Sequence, residues 1–183
     1  MVDDDLIRAA KRLLEACLLS GNATTIATAE SCTGGLISAA LTAVPGSSAW
    51  FERGFVTYSN AAKTDLLGVP APVIAQYGAV SEEVALAMAQ GILDQAPVTA
   101  GVAVTGIAGP DGGTPEKPVG LVHIAASRQG FDPLHEWHIF PGNRQGIRKA
   151  AAMTALDMLT RLIETKVRDA LAGSSIRLGA QDV

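Results

Sequence analysis

The sequence predicts a single α/β domain in which helices cover a mixed β-sheet. Three observations carry that expectation. Segments of helical period alternate with short apolar runs in the order α, β, α, β, short α, α, β, β, β, α. The length of 183 residues lies within the usual range of one substantial domain. With 48% hydrophobic and 17% charged residues, the chain can fill a core and is too apolar for general disorder.

Residues 3–20 place Leu6, Leu13, Leu14, Cys17 and Leu18 at helical spacing as one apolar stripe, and Gly21-Asn22 stops the helix. TTIATAE, residues 24–30, suits a buried strand ending at Ser31. Gly34 and Gly35 permit close backbone approach, and Leu36–Val44 reads as a small-residue helix broken by Pro45-Gly46. WFERGFVTY, residues 50–58, is the next strand, with a short helix over Asn60–Leu67.

Pro70 and Pro72 mark a turn. Ser81-Glu82-Glu83 then caps a helix that runs to about Gln95. VTAGVAVT, residues 98–105, is a buried strand. The four glycines and three prolines of 106–118 form a long loop. Strands at about 119–127 and 134–140, joined by a polar link, are set to pair antiparallel. A last helix begins near Asn143 and reaches about Leu171, with Ile147, Ala151, Leu156, Leu159 and Ile163 facing inward. Residues 1–172 are taken as the domain, and 173–183 as a loosely held tail.

Composition removes several classes of function. Fourteen Lys+Arg against eighteen Asp+Glu give a net charge of −4, so no basic field awaits a nucleic acid. Aromatics at 4% offer no base-stacking surface. Cys17 and Cys32 lack CxxC spacing and read as reduced thiols of a cytoplasmic protein. The acidic start MVDDD is unlike a secretory signal, and no apolar run is long enough to span a membrane. His135 and His138, three apart on a strand, face opposite sides without a third ligand. Neither metal nor cofactor is expected.

The segment Ala29-Glu30-Ser31-Cys32-Thr33-Gly34-Gly35 sets two nucleophile types where a strand gives way to a helix, whose free N–H groups can hold an oxyanion or phosphate. The same residues also serve as a cap with glycines for packing. Lys63, one of five lysines, follows Tyr58-Ser59-Asn60. Partly desolvated, it could take the Ser31 proton while Tyr58 orients or relays it; on a solvent-facing helix it would be inert. Thr105, Gly106, Gly109 and Asp111 follow an apolar strand, and ligands of open α/β sheets gather at the carboxyl ends of strands. Arg144 and Arg148, four apart, share a helix face that either meets a phosphate or simply faces solvent.

Several of these motifs occur together and in order. AESCTGG at 29–35, FVTYSNAAK at 55–63, GAVSEEVA at 78–85 and TGIAGPDGGTPEKPVG at 105–120 resemble the competence/damage-inducible CinA C-terminal family, the nicotinamide-nucleotide amidohydrolases, over roughly residues 5 to 168. The resemblance implies a three-layer α/β/α domain. It also implies hydrolysis of the carboxamide of nicotinamide mononucleotide (NMN) to nicotinate mononucleotide and ammonia, in pyridine-nucleotide recycling.

By the same resemblance, Ser31 is the nucleophile, Lys63 the general base and Tyr58 the tyrosine beside it. Amides near Cys32, Thr33, Gly34 and Gly35 would hold the tetrahedral oxygen. Thr105 with the loop from Gly106 to Gly113 makes the second pocket wall, and Arg144, then Arg148, would meet the phosphate. Relatives that fuse this module behind a larger molybdopterin-binding-like domain differ from this chain, which resembles the stand-alone form. The expected partner is a small pyridine nucleotide, with no nucleic acid or membrane, in a symmetric homo-oligomer such as a dimer. A non-catalytic nucleotide- or phosphate-binding module is the alternative, and a structural oligomer is a third reading.

Overall fold

The computed structural model describes residues 2–20 and 24–175, with side chains of the final helix described as far as Thr165. The chain forms helices α1 (Asp4–Leu19), α2 (Leu36–Thr42), α3 (Asn60–Leu67), α4 (Ala71–Tyr77), α5 (Glu82–Gln95) and α6 (Arg144–Ser175), and strands β1 (Ile26–Glu30), β2 (Phe51–Val56), β3 (Ala100–Gly106), β4 (Leu121–Arg128) and β5 (Leu134–Ile139). The sheet order is β2-β1-β3-β4-β5. β1 runs parallel to both β2 and β3, whereas β4 and β5 pair antiparallel, so the sheet is mixed as the pattern predicted.

Alternation along the central strands divides the core between two faces. Ile26, Val102, Val104, Val122, Ile124 and Ala126 pack under α1, α2 and α6. Ala27, Ala29, Ala103 and Ala125 pack under α3, α4 and α5 with Leu67, Ile74, Met88 and Ile92. Alanine dominates the second face and lets α5 lie close to the strands. The result is a three-layer α/β/α domain.

Local chemistry explains the boundaries. Asp3 accepts from the Asp5 amide at the start of α1, Ser59 from the Ala62 amide at α3, and Ser81 from the Val84 amide at α5, each satisfying a donor that helix geometry leaves free. All five inward candidates of α6 are buried.

Three expectations are corrected. Leu18 was expected on the buried stripe of α1 but is 72% exposed. The stripe instead uses the smaller Ala9, Ala10 and Ala16 with Leu6, Leu13 and Cys17, which bring α1 close to α6. The Pro70/Pro72 segment is not only a turn, because it opens the helix α4. Proline is tolerated in a helix's first turn, where its missing N–H has no partner to lose. The last helix continues to Ser175, past the predicted Leu171 and through the first three residues of the expected tail. Gly21, Asn22 and residues 176–183 lie outside the described residues. No helix among the described residues is long and apolar enough to cross a membrane.

Glycine 91 shows how tightly α5 meets α3. A Cβ there would lie 2.2 Å from the Leu67 carbonyl oxygen, so Gly91→Ala should destabilise by about 1–3 kcal/mol, against the usual helix preference for alanine. Gly146→Ala, where the nearest atom is a side-chain oxygen at 3.6 Å, should stabilise by about 0.5–1 kcal/mol. Urea denaturation of the two variants checks the opposite signs.

Candidate active site

The chain leaves β1 through α2 on one face of the sheet to reach β2, and leaves β2 through α3, α4 and α5 on the other face to reach β3. β1 therefore has its two parallel neighbours connected on opposite sides, which opens a crevice at its carboxyl end. Ser31 directly follows β1, Thr57 and Tyr58 follow β2, and Thr105 and Gly106 end β3. Three strand ends converge on one cleft of about 270 Å³.

At its floor lies Lys63, 1% exposed. Its Nζ is 3.1 Å from Ser31 Oγ and donates to the Thr57 carbonyl at 2.8 Å. Burial pushes its pKa below the ordinary 10.5, because a desolvated ammonium loses its hydration. As free amine, Lys63 can keep one N–H on Thr57 and turn its lone pair towards the Ser31 hydroxyl. The two residues, 32 apart in sequence, stand within hydrogen-bond distance, the geometry that a nucleophile and its base require.

The ladder sets this contact. Glu30 pairs with Val56 across β1 and β2, and the next residue, Thr57, donates its amide to the Glu30 carbonyl at 2.8 Å. That bond fixes Thr57, whose own carbonyl then receives Lys63. Ser59 caps α3, which places Lys63 one turn into the helix and directed back under the strand ends.

Cys32 lines the same cleft, but burial pushes its thiol up to about 11. It is neutral near pH 7 and poorly matched to nucleophilic attack. Tyr58 is 60% exposed, and its hydroxyl accepts from Arg144 Nη2 at 2.8 Å. The lysine is thus held by the Thr57 carbonyl, a group with no sequence signature, and not by Tyr58. Gly109 also belongs to the cleft, its carbonyl accepting from Arg144 Nη1 at 2.8 Å. Asp111 stands exposed on the loop wall, and Thr105 Oγ1 donates to the Ala79 carbonyl at 2.7 Å.

Four predicted residues do not line the cleft. Thr33 is fully buried, and its carbonyl accepts from Arg148 Nη2 at 2.6 Å. Gly34 and Gly35 adopt φ of +58° and +91°, turning the chain into α2 through conformations that favour glycine. Arg148 shares a helix face with Arg144, yet one turn of rise carries it past the cleft to this turn.

The α2 N-terminus is not offered to a ligand either. Glu30, 0% exposed, accepts from the Ile37 amide at 3.0 Å, the Ser38 amide at 2.8 Å and the Ser38 hydroxyl at 2.7 Å. A carboxylate already occupies the positive end of the helix. Sequence reasoning gave Glu30 no role, although a lone acid closing an apolar strand was a signal. It also passed over Asn60, Ala79 and Val80, which line the cleft.

A larger groove of about 490 Å³ lies between α1 and α6. The charged Arg12, Glu15, Asp157 and Arg161 line it, and it holds no nucleophile–base pair. No cluster of three or more potential metal ligands occurs among the described residues.

The CinA C-terminal domain family matches residues 9–163, and the chain belongs to that family. It is 54% identical over 151 residues to a CinA-like protein of Citrifermentans bemidjiense, covering 82% of this chain and 36% of that one. A CinA-like protein of Gemmatimonas aurantiaca is 47% identical over 175 residues, covering 96% and 40% respectively. The chain thus spans well under half the length of these curated relatives. Among solved structures, the competence/damage inducible protein CihA from Agrobacterium tumefaciens has a TM-score of 0.84 at 46% identity, covering 88% of this chain and 98% of that chain. A CinA superfamily protein from Klebsiella pneumoniae has a TM-score of 0.80 at 32% identity, covering 86% and 97%.

Two outcomes follow from the buried pair. The unfolded chain binds the Lys63 proton more tightly than the folded one, so between the lowered pKa and 10.5 it holds more protons. Across that window the stability of the wild type relative to Lys63→Met should rise with pH, by up to about 1.4 kcal/mol per unit, and below it the difference should be level. Urea denaturation of both proteins from pH 6 to 10 measures it; a difference that falls with pH contradicts the buried amine. Glu30→Ala, which strands two helix amides, should cost more than about 2 kcal/mol, and Ser38→Ala about 1 kcal/mol, read from the same denaturation curves.

Proposed function

We propose that this domain is a serine-dependent amidohydrolase that converts NMN to nicotinate mononucleotide and ammonia. The observation that carries the reading is the 3.1 Å contact between Ser31 Oγ and the buried Lys63 Nζ at the floor of a cleft sized for a small molecule.

In this reading Lys63, as free amine, accepts the Ser31 proton while Oγ attacks the carboxamide carbon. The carbonyl π bond opens to an oxyanion. The Ser31 amide donates to Val104 and the first α2 amides to Glu30, so those groups are committed elsewhere. The amides of Cys32, Ala108 and Gly109, residues that line the cleft, have no backbone acceptor among the described residues and would be the donors to the oxyanion. The Lys63 ammonium then protonates the departing nitrogen, the C–N bond breaks and ammonia leaves. Water, losing its proton to Lys63, attacks the acyl ester; Ser31 regains that proton and the acid is released.

Arg144 at the cleft mouth would meet the phosphate. Its guanidinium bonds here to a neutral carbonyl and a phenol, and a phosphate dianion is the stronger acceptor. Asp111 would accept from substrate hydroxyls. No step requires a metal or cofactor.

Metal-free protein should release ammonia from NMN, and Ser31→Ala should reduce kcat by at least about 10³-fold with the fold intact. Activity should rise with pH as Lys63 loses its proton, with a midpoint below 10.5. A folded wild type that binds NMN but releases no ammonia would overturn the hydrolase and favour the nucleotide-binding module.

A further inference from the structure

Two walls of the cleft meet through one side chain. The first is the connection between α4 and α5, which contributes Ala79 and Val80. Four successive carbonyls, from Tyr77 at the end of α4 to Val80, accept from side chains. Lys117 Nζ donates to Tyr77 at 2.6 Å and to Val80 at 2.7 Å, Ser81 Oγ to Gly78 at 2.9 Å, and Thr105 Oγ1 to Ala79 at 2.7 Å. No strand pairing holds this segment.

The second wall is the loop of residues 107–120. Its base is closed by Ile107 N to the Leu121 carbonyl and Gly120 N to the Ile107 carbonyl, both 2.8 Å. Its tip is a turn in which Thr114 N donates to the Lys117 carbonyl at 2.8 Å and Lys117 N to Thr114 Oγ1 at 3.0 Å. That turn sets the Lys117 backbone, so the ammonium bonded to Tyr77 and Val80 is anchored at its other end to the loop. Charge-assisted bonds to two carbonyls are stronger than neutral ones.

We propose that Lys117 is a positioning residue that latches the two walls together and so sets the cleft's affinity for substrate, without touching substrate or the Ser31–Lys63 pair. The kinetic part rests on the amidohydrolase reading; the mechanical part does not. Lys117 itself does not line the cleft, and the floor is held separately by the β1–β2 ladder. Loss of the latch should therefore fall on binding and spare the chemical step.

The test compares the wild type with Lys117→Met and Lys117→Arg, and with Lys149→Met as a control that removes a remote surface contact to Asp3 and Asp5. Lys117→Met should raise the KM for NMN at least tenfold with kcat within threefold. Lys117→Arg, whose fork can reach two carbonyls, should return KM to within threefold, and Lys149→Met should leave both constants unchanged. Hydrogen exchange, which needs no turnover, should show segments 77–81 and 107–119 of Lys117→Met losing protection together while β3 and β4 keep theirs. Should the methionine variant fail to fold, Lys117→Gln, with a shorter neutral donor, should show the same pattern in weaker form. An unchanged KM, a loss confined to kcat, or faster exchange in one segment alone would overturn the latch. If the wild type releases no ammonia, the amidohydrolase reading falls while the exchange result still decides the latch.

Discussion

The buried amino group of Lys63 is the constraint around which the rest of the site is arranged. A protonated amine out of water is costly, and the cost is relieved either by losing the proton or by finding acceptors. This site supplies one strong acceptor, the Thr57 carbonyl, and one hydroxyl, Ser31. That pairing keeps the amine oriented without a carboxylate to stabilise its charge, and burial lowers its proton affinity. A lysine beside Asp or Glu would hold its proton and be useless as a base near neutrality. The polarity of the floor is thus as informative for what it omits as for what it contains.

The carboxylate next to Ser31 in sequence is kept out of the floor by a different requirement. Glu30 precedes Ser31, and strand alternation sends its side chain to the opposite face, where it accepts the first amides of α2. Ser38 joins the same carboxylate and also lies 2.8 Å from Thr28 Oγ1. Gly54 on β2 completes the arrangement by absence, since a Cβ there would meet Ser38 Oγ at 2.2 Å. One buried acid therefore fixes α2, holds the turn of residues 31–35, and occupies the helix dipole that would otherwise act on the cleft. On the proposed mechanism an oxyanion would be stabilised by individual amides of the turn and the loop, a more directional arrangement than a whole helix end.

Much of the fold was legible because periodicity, caps and turns are local properties. Ser59 and Ser81 announced the starts of α3 and α5, and the glycine- and proline-rich run after Thr105 could be only a loop. The α4 helix was lost because two prolines read equally as a turn or a helix start, and only packing of Ile74 against the α5 face separates them. The candidate nucleophile and base were legible as residue types in motifs, but their contact was not, being made across two strands. The groups that hold them, a Thr57 carbonyl and the carbonyls reached by Lys117, carry no side-chain signal. Arg148 shows the opposite limit: shared helical face is visible in sequence, while which sites the two ends of that roughly 6 Å of rise reach is decided by where the helix sits.

The two parts of the cleft are stabilised by different means, and that difference has a functional logic. Ser31 and Thr57 are tied into the sheet by backbone bonds of 3.0 and 2.8 Å, so their separation from Lys63 is set by the strand ladder. Proton transfer depends steeply on that separation. The walls instead hang on side-chain donors, Lys117 and Thr105 on one side and Arg144 across the mouth between Tyr58 and Gly109. The Arg144 bonds at the mouth can exchange with solvent or ligand, so a ligand group there competes with bonds already made, whereas the Lys117 bonds hold the walls behind it. In the proposed hydrolase, a floor tied into the sheet would keep the reacting atoms in place while an exchangeable mouth adjusts to what enters.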